Sequence, residues 1–521
     1  KLLPLLASGK ITAEYLTRLY VARAILVDEK LNCVTEQLFE AAVADAQLCD
    51  EERRAGQLRG KLHGLPVSIK EQISQAGFDS TCGACCRLFQ PAESDAIIVQ
   101  LLKNAGAIPF CRTNVPQLLM LPESFNAIYG TSNNPFDVTR TPGGSSGGET
   151  ALLAARGSPL GIGTDVGGSI RIPAVLCGIY GFKPTVDRLS TKGIAVPRLN
   201  NENGQQAVRS APGPMGHSVA DLETIMSVLC TDALMYTEDV ALPPVPWDGS
   251  QYTAVASSKS LKFGYYISDG WFEPAPACKR AVEETVSALK AAGHEVIEFE
   301  PLELADCARN YVALITADGN FRGFVDGIEG EELHPAYSFA YNVANIPKWL
   351  RGPLSFIMRN VLKQPRMAKL IIAGSQKTAH EYWEAIKEQN RLKKSFLSRF
   401  EASGIDAIIC PGLGLPAMTH GTSVRLLNAC SYTFVYNNFN MPAGTCPVST
   451  VRADEEVYTD ANNSDSVTKL AIKDSIGTAG LPVGVQVVGL PWRDEKCVGA
   501  MAVVEAALNA AGHKAPMPPP A

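Results

Sequence analysis

No apolar run of about 18 residues or more occurs in the chain, so nothing in it reads as a bilayer-spanning helix. Histidine is scarce, with seven in 521 residues. The late ones, His420 and His513, sit in no recognisable catalytic context, which leaves a Ser-His-acid hydrolase without its base. No GxxxxGK[ST] loop occurs, and after Gly161 and Gly163 the third glycine of a dinucleotide fingerprint is replaced by Val166; both absences argue against nucleotide binding. The net charge is only −6, which argues against nucleic acid as a general partner. Fourteen cysteines are many, but Cys82, Cys85 and Cys86 form the only tight cluster. No second Cys or His pair stands at metal-site spacing, so they read as free thiols in a reducing, intracellular setting.

What is present suits a large soluble enzyme: 46% apolar and 19% charged residues. An amphipathic helix, a glycine stop and a short apolar strand recur along the chain. Ser94 reads as the cap of a helix carrying Ile97, Ile98, Leu101 and Leu102 on one face, ended by Gly106 before a strand over Ala107–Cys111. The unit returns at Ala281–Ala292, Gly293 and Glu295–Phe299, and at Phe396–Ser403, Gly404 and Ala407–Cys410. This alternation predicts a single large α/β domain, a mixed twisted β-sheet with helices on both faces. The polar stretches 200–206 and 454–474 read as surface loops. The chain begins at Lys1 without a methionine, which leaves room for an upstream segment carrying a signal or an anchor.

Two glycine clusters hold serines: Thr141-Pro142-Gly143-Gly144-Ser145-Ser146-Gly147-Gly148, and Gly163-Thr164-Asp165-Val166-Gly167-Gly168-Ser169-Ile170-Arg171. Upstream, Lys70 follows the apolar run Leu65-Pro66-Val67-Ser68-Ile69, which places it at the end of a buried strand, where catalytic groups of α/β sheets gather. A serine hydroxyl needs a base within hydrogen-bond reach, and a lysine serves once burial or a nearby cation makes it neutral. Glycines let the backbone turn tightly and aim N–H groups at a developing oxyanion. Together these parts describe an acyl-transfer site. Gly144-Ser145-Ser146-Gly147-Gly148 also matches the G-x-S-x-G elbow with Ser146 as nucleophile, a reading that needs an acid and a late histidine.

The stretch Gly143–Pro184 resembles the signature of the amidase signature family, and the resemblance extends over nearly the whole chain, from Lys70 and Thr113-Asn114-Val115-Pro116 to Gly480-Leu481-Pro482-Val483-Gly484-Val485-Gln486. It implies the amidase signature fold, with a catalytic domain over 59–515 after an N-terminal helical segment over 1–58. It also implies a triad of Lys70, Ser145 in a cis peptide linkage, and nucleophilic Ser169. The gap of 24 positions between the last two agrees with the family spacing and selects Ser145 over Ser146 as the bridging serine. Carried over with them are an oxyanion hole of Val166, Gly167, Gly168 and Ser169 N–H groups, Ser146 orienting Lys70, and Asp165 paired structurally with Arg171. Water would hydrolyse the acyl-serine, and no cofactor or metal is implied.

Within that family the chain is most similar to the fatty acid amide hydrolases, through Pro66–Glu71, Thr113–Gln117, Ser431–Asn437 and Leu490-Pro491-Trp492. The resemblance implies a lipid amide substrate, a channel lined by Leu119, Met120, Cys430 and Phe434, and a homodimer. The rivals are a short-chain amidase, a glutamine-hydrolysing amidotransferase subunit, which would need a polar amino-acid pocket, and a catalytically dead binding member, against which the intact Lys70, Ser145 and Ser169 speak. An independent signal lies in 333–380, where seven Lys or Arg occur without one Asp or Glu. Trp349, Leu350, Leu354, Ile357, Met358, Val361 and Leu362 recur there at helical spacing, with Arg351, Arg359 and Lys363 elsewhere. That is the pattern of a basic amphipathic cap inserted into the domain and resting peripherally on the cytoplasmic face of a membrane. An ordinary surface helix packed on the core is the alternative.

Overall fold

The computed structural model describes residues 1–197, 204–301, 303–319, 322–328 and 330–520. Of the expected loop at 200–206, residues 200–203 lie outside these. Thirteen strands are described: β1 (Val34–Gln37), β2 (Leu65–Lys70), β3 (Ala107–Thr113), β4 (Phe125–Asn126), β5 (Gly130–Thr131), β6 (Gly161–Asp165), β7 (Tyr180–Lys183), β8 (Ala211–Gly216), β9 (Lys262–Tyr265), β10 (Glu295–Glu298), β11 (Ala407–Pro411), β12 (Ala443–Thr450) and β13 (Pro482–Val488). Eleven form one mixed sheet in the order β1-β3-β2-β6-β8-β7-β12-β13-β11-β9-β10, while β4 and β5 make a separate hairpin. The α/β expectation holds.

Strands β3, β2 and β6 run parallel, so their C-terminal ends share one edge of the sheet. Every residue of all three is buried, as expected of strands covered on both faces. The helix Gly147–Ala154, itself fully buried, packs on this trio and fixes the chain that leads into it. On the other side of the site, Leu304–Ile315 packs against the helices Pro365–Ala373, Ala379–Ser403 and Ser431–Asn438.

Several local expectations need correction. The helix that Ser94 was to cap begins at Ile97 behind Ala96, with no side-chain cap; the capping role is instead clear at Thr378, which forms a reciprocal pair with Glu381 at the start of Ala379–Ser403. That helix ends on Gly404, left-handed at φ 63° as an αL stop requires. The stretch 1–58 is not purely helical, because Val34–Gln37 pairs antiparallel with β3 as the edge of the sheet. The stretch 454–474 is not all loop: Asp465 caps a helix over Ser466–Asp474 by accepting from Thr468 N–H, and Val467 and Ala471 bury one face of it. Among the described residues no helix is long and apolar enough to cross a membrane.

Candidate active site

Lys70 ends β2 with its side chain fully buried. Its Nζ lies 2.7 Å from Ser145 Oγ and 2.8 Å from Thr164 Oγ1, and the Thr164 hydroxyl donates onward to Gln72 Oε1 at 2.7 Å. Burial pushes the Lys70 amine down to about 7, against the pull of Asp165, Cys82, Glu71 and Glu149. The amine therefore has a large neutral fraction near neutral pH. The peptide Gly144–Ser145 is cis, and Gly144 leaves no space for a Cβ against the backbone oxygens of Leu121 and Glu123.

Ser146 behaves differently from the expectation. Its Oγ stands 3.5 Å from the backbone N and O of Thr164 and its N–H donates to Ser169 O at 3.2 Å, so it braces the serine loop on β6 without contacting the lysine. Thr164 and Gln72 orient Lys70 instead. Ser145 and Ser146 are buried, whereas Ser169 is half-buried and lines the cavity.

The loop that carries Ser169 is shaped by one carboxylate. Asp165 accepts from Gly168 N–H at 2.7 Å and Ile170 N–H at 3.2 Å, and pairs with Arg171 through two contacts of 3.0 Å. Burial opposes its ionisation, yet the Arg171 guanidinium and Asn437 hold it at about 2. Arg171 is in turn held by Gln486 and Asn437, so the buried pair is fully hydrogen-bonded, the condition under which such a pair is tolerated. Gly168 sits at φ 124°, and a Cβ there would strike Thr433 and Ile172. The Gly168 N–H, expected as an oxyanion donor, is committed to Asp165, whereas the N–H groups of Val166, Gly167 and Ser169 make no hydrogen bond among the described residues.

Ser145 and Ser169 open into a cavity of about 310 Å³. Leu119, Met120 and Phe434 line it, with Tyr311 stacked on Phe434 at 4.6 Å between ring centroids. Its farther walls come from Met367 and Leu370 on one helix and Val467 and Leu470 on the 466–474 helix, the wall that the polar sequence of 454–474 concealed. Cys430 is not part of the lining; it is wholly buried in the main core. Arg366 joins the two wall helices through Asp465 at 2.8 Å, with Asp460 at 3.4 Å and the Phe272 ring beneath.

In the basic segment, Trp349, Phe356 and Val361 are 75%, 66% and 65% exposed, and Ile357 and Leu362 also face outward. Leu350 is at the border of exposure, while Leu354 and Met358 turn inward and are half-buried. Two of the seven cations are not at the surface. Arg351 is buried on the carbonyls of Ile346, Ile371 and Gly374, and Arg366 is buried in the ion pair described above. Lys348 pairs with Glu381. Elsewhere, Cys49, Glu52 and His63 approach one another, but both His63 ring nitrogens and the Glu52 carboxylate are committed to protein partners. All fourteen cysteines are free thiols, and only Cys85 and Cys86 are less than fully buried.

The family model described as Amidase matches residues 15–498. Fatty-acid amide hydrolase 1 of Sus scrofa is 38% identical over 509 residues, covering 96% of this chain and 83% of the pig protein. Fatty acid amide hydrolase 1 of Caenorhabditis elegans is 35% identical, covering 97% of this chain and 87% of the worm protein. Among solved structures, one described as fatty acid amide hydrolase superposes with a TM-score of 0.84 at 24% identity, over 97% of this chain and 84% of that one; it attests the fold.

Proposed function

This chain belongs to the amidase family and is a hydrolase acting on amides, and on that premise we propose that it cleaves fatty acid amides, N-acyl ethanolamines or primary amides, to fatty acid and amine. The observation that carries the reading is the placement of Ser169, the one half-exposed serine of the two glycine clusters, in the lining of a mainly apolar cavity that is also lined by Ser145, the partner of Lys70. Neutral Lys70 takes the Ser145 proton as Ser145 takes that of Ser169, and Ser169 Oγ attacks the carbonyl carbon. The N–H groups of Val166, Gly167 and Ser169 receive the oxyanion. The proton returns through Ser145 to the leaving nitrogen, the C–N bond breaks, and water then hydrolyses the acyl-serine with Lys70 again as base. The relatives named fatty acid amide hydrolase and the apolar walls support a lipid acyl group. A glutamine pocket would need an acid for the amino group as well as a cation for the carboxylate; Arg425 lines the cavity, but among the described residues no Asp or Glu does.

The test is kcat/KM for N-acyl ethanolamines of increasing acyl length. Each methylene buried in the cavity is worth about 0.8 kcal/mol, or about fourfold, until the walls are filled. A profile that is flat or favours acetyl over long chains sinks the lipid reading and leaves a general short-chain amidase.

The cap reading is tested separately. Replacing Trp349, Phe356 and Ile357 with Ser is expected to reduce sedimentation with anionic liposomes while hydrolysis of a short soluble amide and the Tm stay unchanged, because these side chains already face outward. Each surface cation near such a membrane contributes about 1 kcal/mol, so binding should weaken with salt. A wild-type protein that never sediments with lipid, or a triple variant that melts far lower, overturns the cap.

A further inference from the structure

The mechanism leaves one buried acid unused. Glu149 lies in the first turn of the 147–154 helix, four residues after Ser145, and is wholly buried. Its carboxyl is held by the hydroxyls of Ser68 and of Thr113, the latter at 2.6 Å. Ser68 and Lys70 lie two apart on β2 and so share a face, and Thr113 is the residue of β3 in register with Lys70. β6 makes room for the acid: Gly161, in register with Ser68, has no side chain where a Cβ would collide with the Glu149 carboxyl. No cation stands within hydrogen-bond distance of that carboxyl among the described residues, which is unusual for an acid so deeply buried.

We infer that Glu149 is a positioning residue for amide hydrolysis, its carboxyl setting how readily the neighbouring Lys70 amine gives up its proton; the inference rests on Lys70 being the base. An ionised Glu149 favours the ammonium form of Lys70, and a protonated one favours the free amine. Burial raises Glu149 to about 7, opposed by Ser68, Thr113 and Lys70, while it lowers Lys70 to about 7. Each acts on the other's ionisation, so the two protonations are linked, and a singly protonated pair divides between ammonium–carboxylate and amine–carboxylic acid. Only the second form is active. The other groups acting on Lys70 are Asp165, already neutralised by Arg171, together with Glu71 and the thiol of Cys82. Those beside Glu149 are the thiols of Cys33 and Cys111, both held protonated by burial, with Asp28 acting on each.

The experiment is the pH profile of kcat/KM on a short soluble amide for wild type, Glu149→Gln, Thr113→Val and Lys70→Ala. Glu149→Gln keeps the shape and a partner for each hydroxyl but removes the anion that holds Lys70 as ammonium. Its acid limb is expected to move to lower pH by about one unit, the lower end of what an adjacent opposite charge does. Thr113→Val deprives the carboxylate of one donor, so Glu149 keeps its proton to higher pH and the limb moves the same way by less. A Glu149→Gln enzyme that folds with an unmoved midpoint, whatever its kcat, overturns the inference and leaves Glu149 a structural tie. Should Glu149→Gln not fold, an unmoved limb in Thr113→Val does the same. A limb that persists in Lys70→Ala overturns the base assignment instead, so the two failures are told apart.

Discussion

Ser169→Ala is expected to lower kcat by about 10⁴- to 10⁶-fold, the range seen when a serine nucleophile is removed, with no change in Tm. The side chain is half-exposed in the cavity lining and makes no hydrogen bond among the described residues, so its loss strips the proposed nucleophile without disturbing the core. A fluorophosphonate should add its mass to one peptide, that containing Ser169, and to none in the alanine variant. Ser146 is the instructive control, since it belongs to the other glycine cluster and satisfies the elbow pattern. It is wholly buried against β6 with its Oγ near Thr164, and an electrophile in the cavity cannot reach it. Label recovered on Ser146 would reverse the assignment of nucleophile.

Lys70→Ala is expected to cost about 10²- to 10⁴-fold in kcat/KM, the usual size of a general-base contribution. The pH dependence carries the sharper signature. The folded Lys70 amine is lowered from 10.5 to about 7, and in the proposed mechanism the neutral form is the working one. Wild-type activity therefore rises with pH through about 7 and levels off above it. In Lys70→Ala that limb disappears, and what remains should climb with hydroxide at high pH. A loss below about tenfold, or a wild-type profile that falls between pH 6 and 8, removes Lys70 from the role.

The parts of this site that could be read in the sequence are those defined over short stretches. Ser145 and Ser169 stand inside glycine clusters whose backbone demands are local, and Lys70 follows an apolar run long enough to name a buried strand. Thr164 and Gln72 were missed because neither is unusual where it stands; only the meeting of β2 with β6 brings Thr164 to the lysine, and Gln72, two residues beyond Lys70, acts through Thr164. The Gly168 N–H was counted as an oxyanion donor because the sequence does not say that Asp165 folds back to claim it. Arg351 and Arg366 read as surface cations because the partners that bury them, a set of carbonyls and Asp465 about a hundred residues later, are fixed by packing alone. The same ion pair explains why a polar stretch such as 454–474 contains a helix that lines the cavity. Phe356 stands two helical turns after Trp349, on the same side of the helix, and belongs with the apolar face from which it was omitted; it is among the most exposed side chains there.

The sulfur inventory has a consequence for the fate of the acyl group. A thiolate is the one protein nucleophile that competes with water for acyl groups without a separate base, and two cysteines lie near this chemistry: Cys82 acts electrostatically on Lys70, and Cys430 lies at the start of the helix bearing Phe434. Both are sealed in the core, and burial pushes each thiol up to about 12, so neither presents a thiolate at neutral pH. On the proposed mechanism, an acyl chain on the Ser169 oxygen therefore meets no thiolate from Cys82 or Cys430 and is left to water.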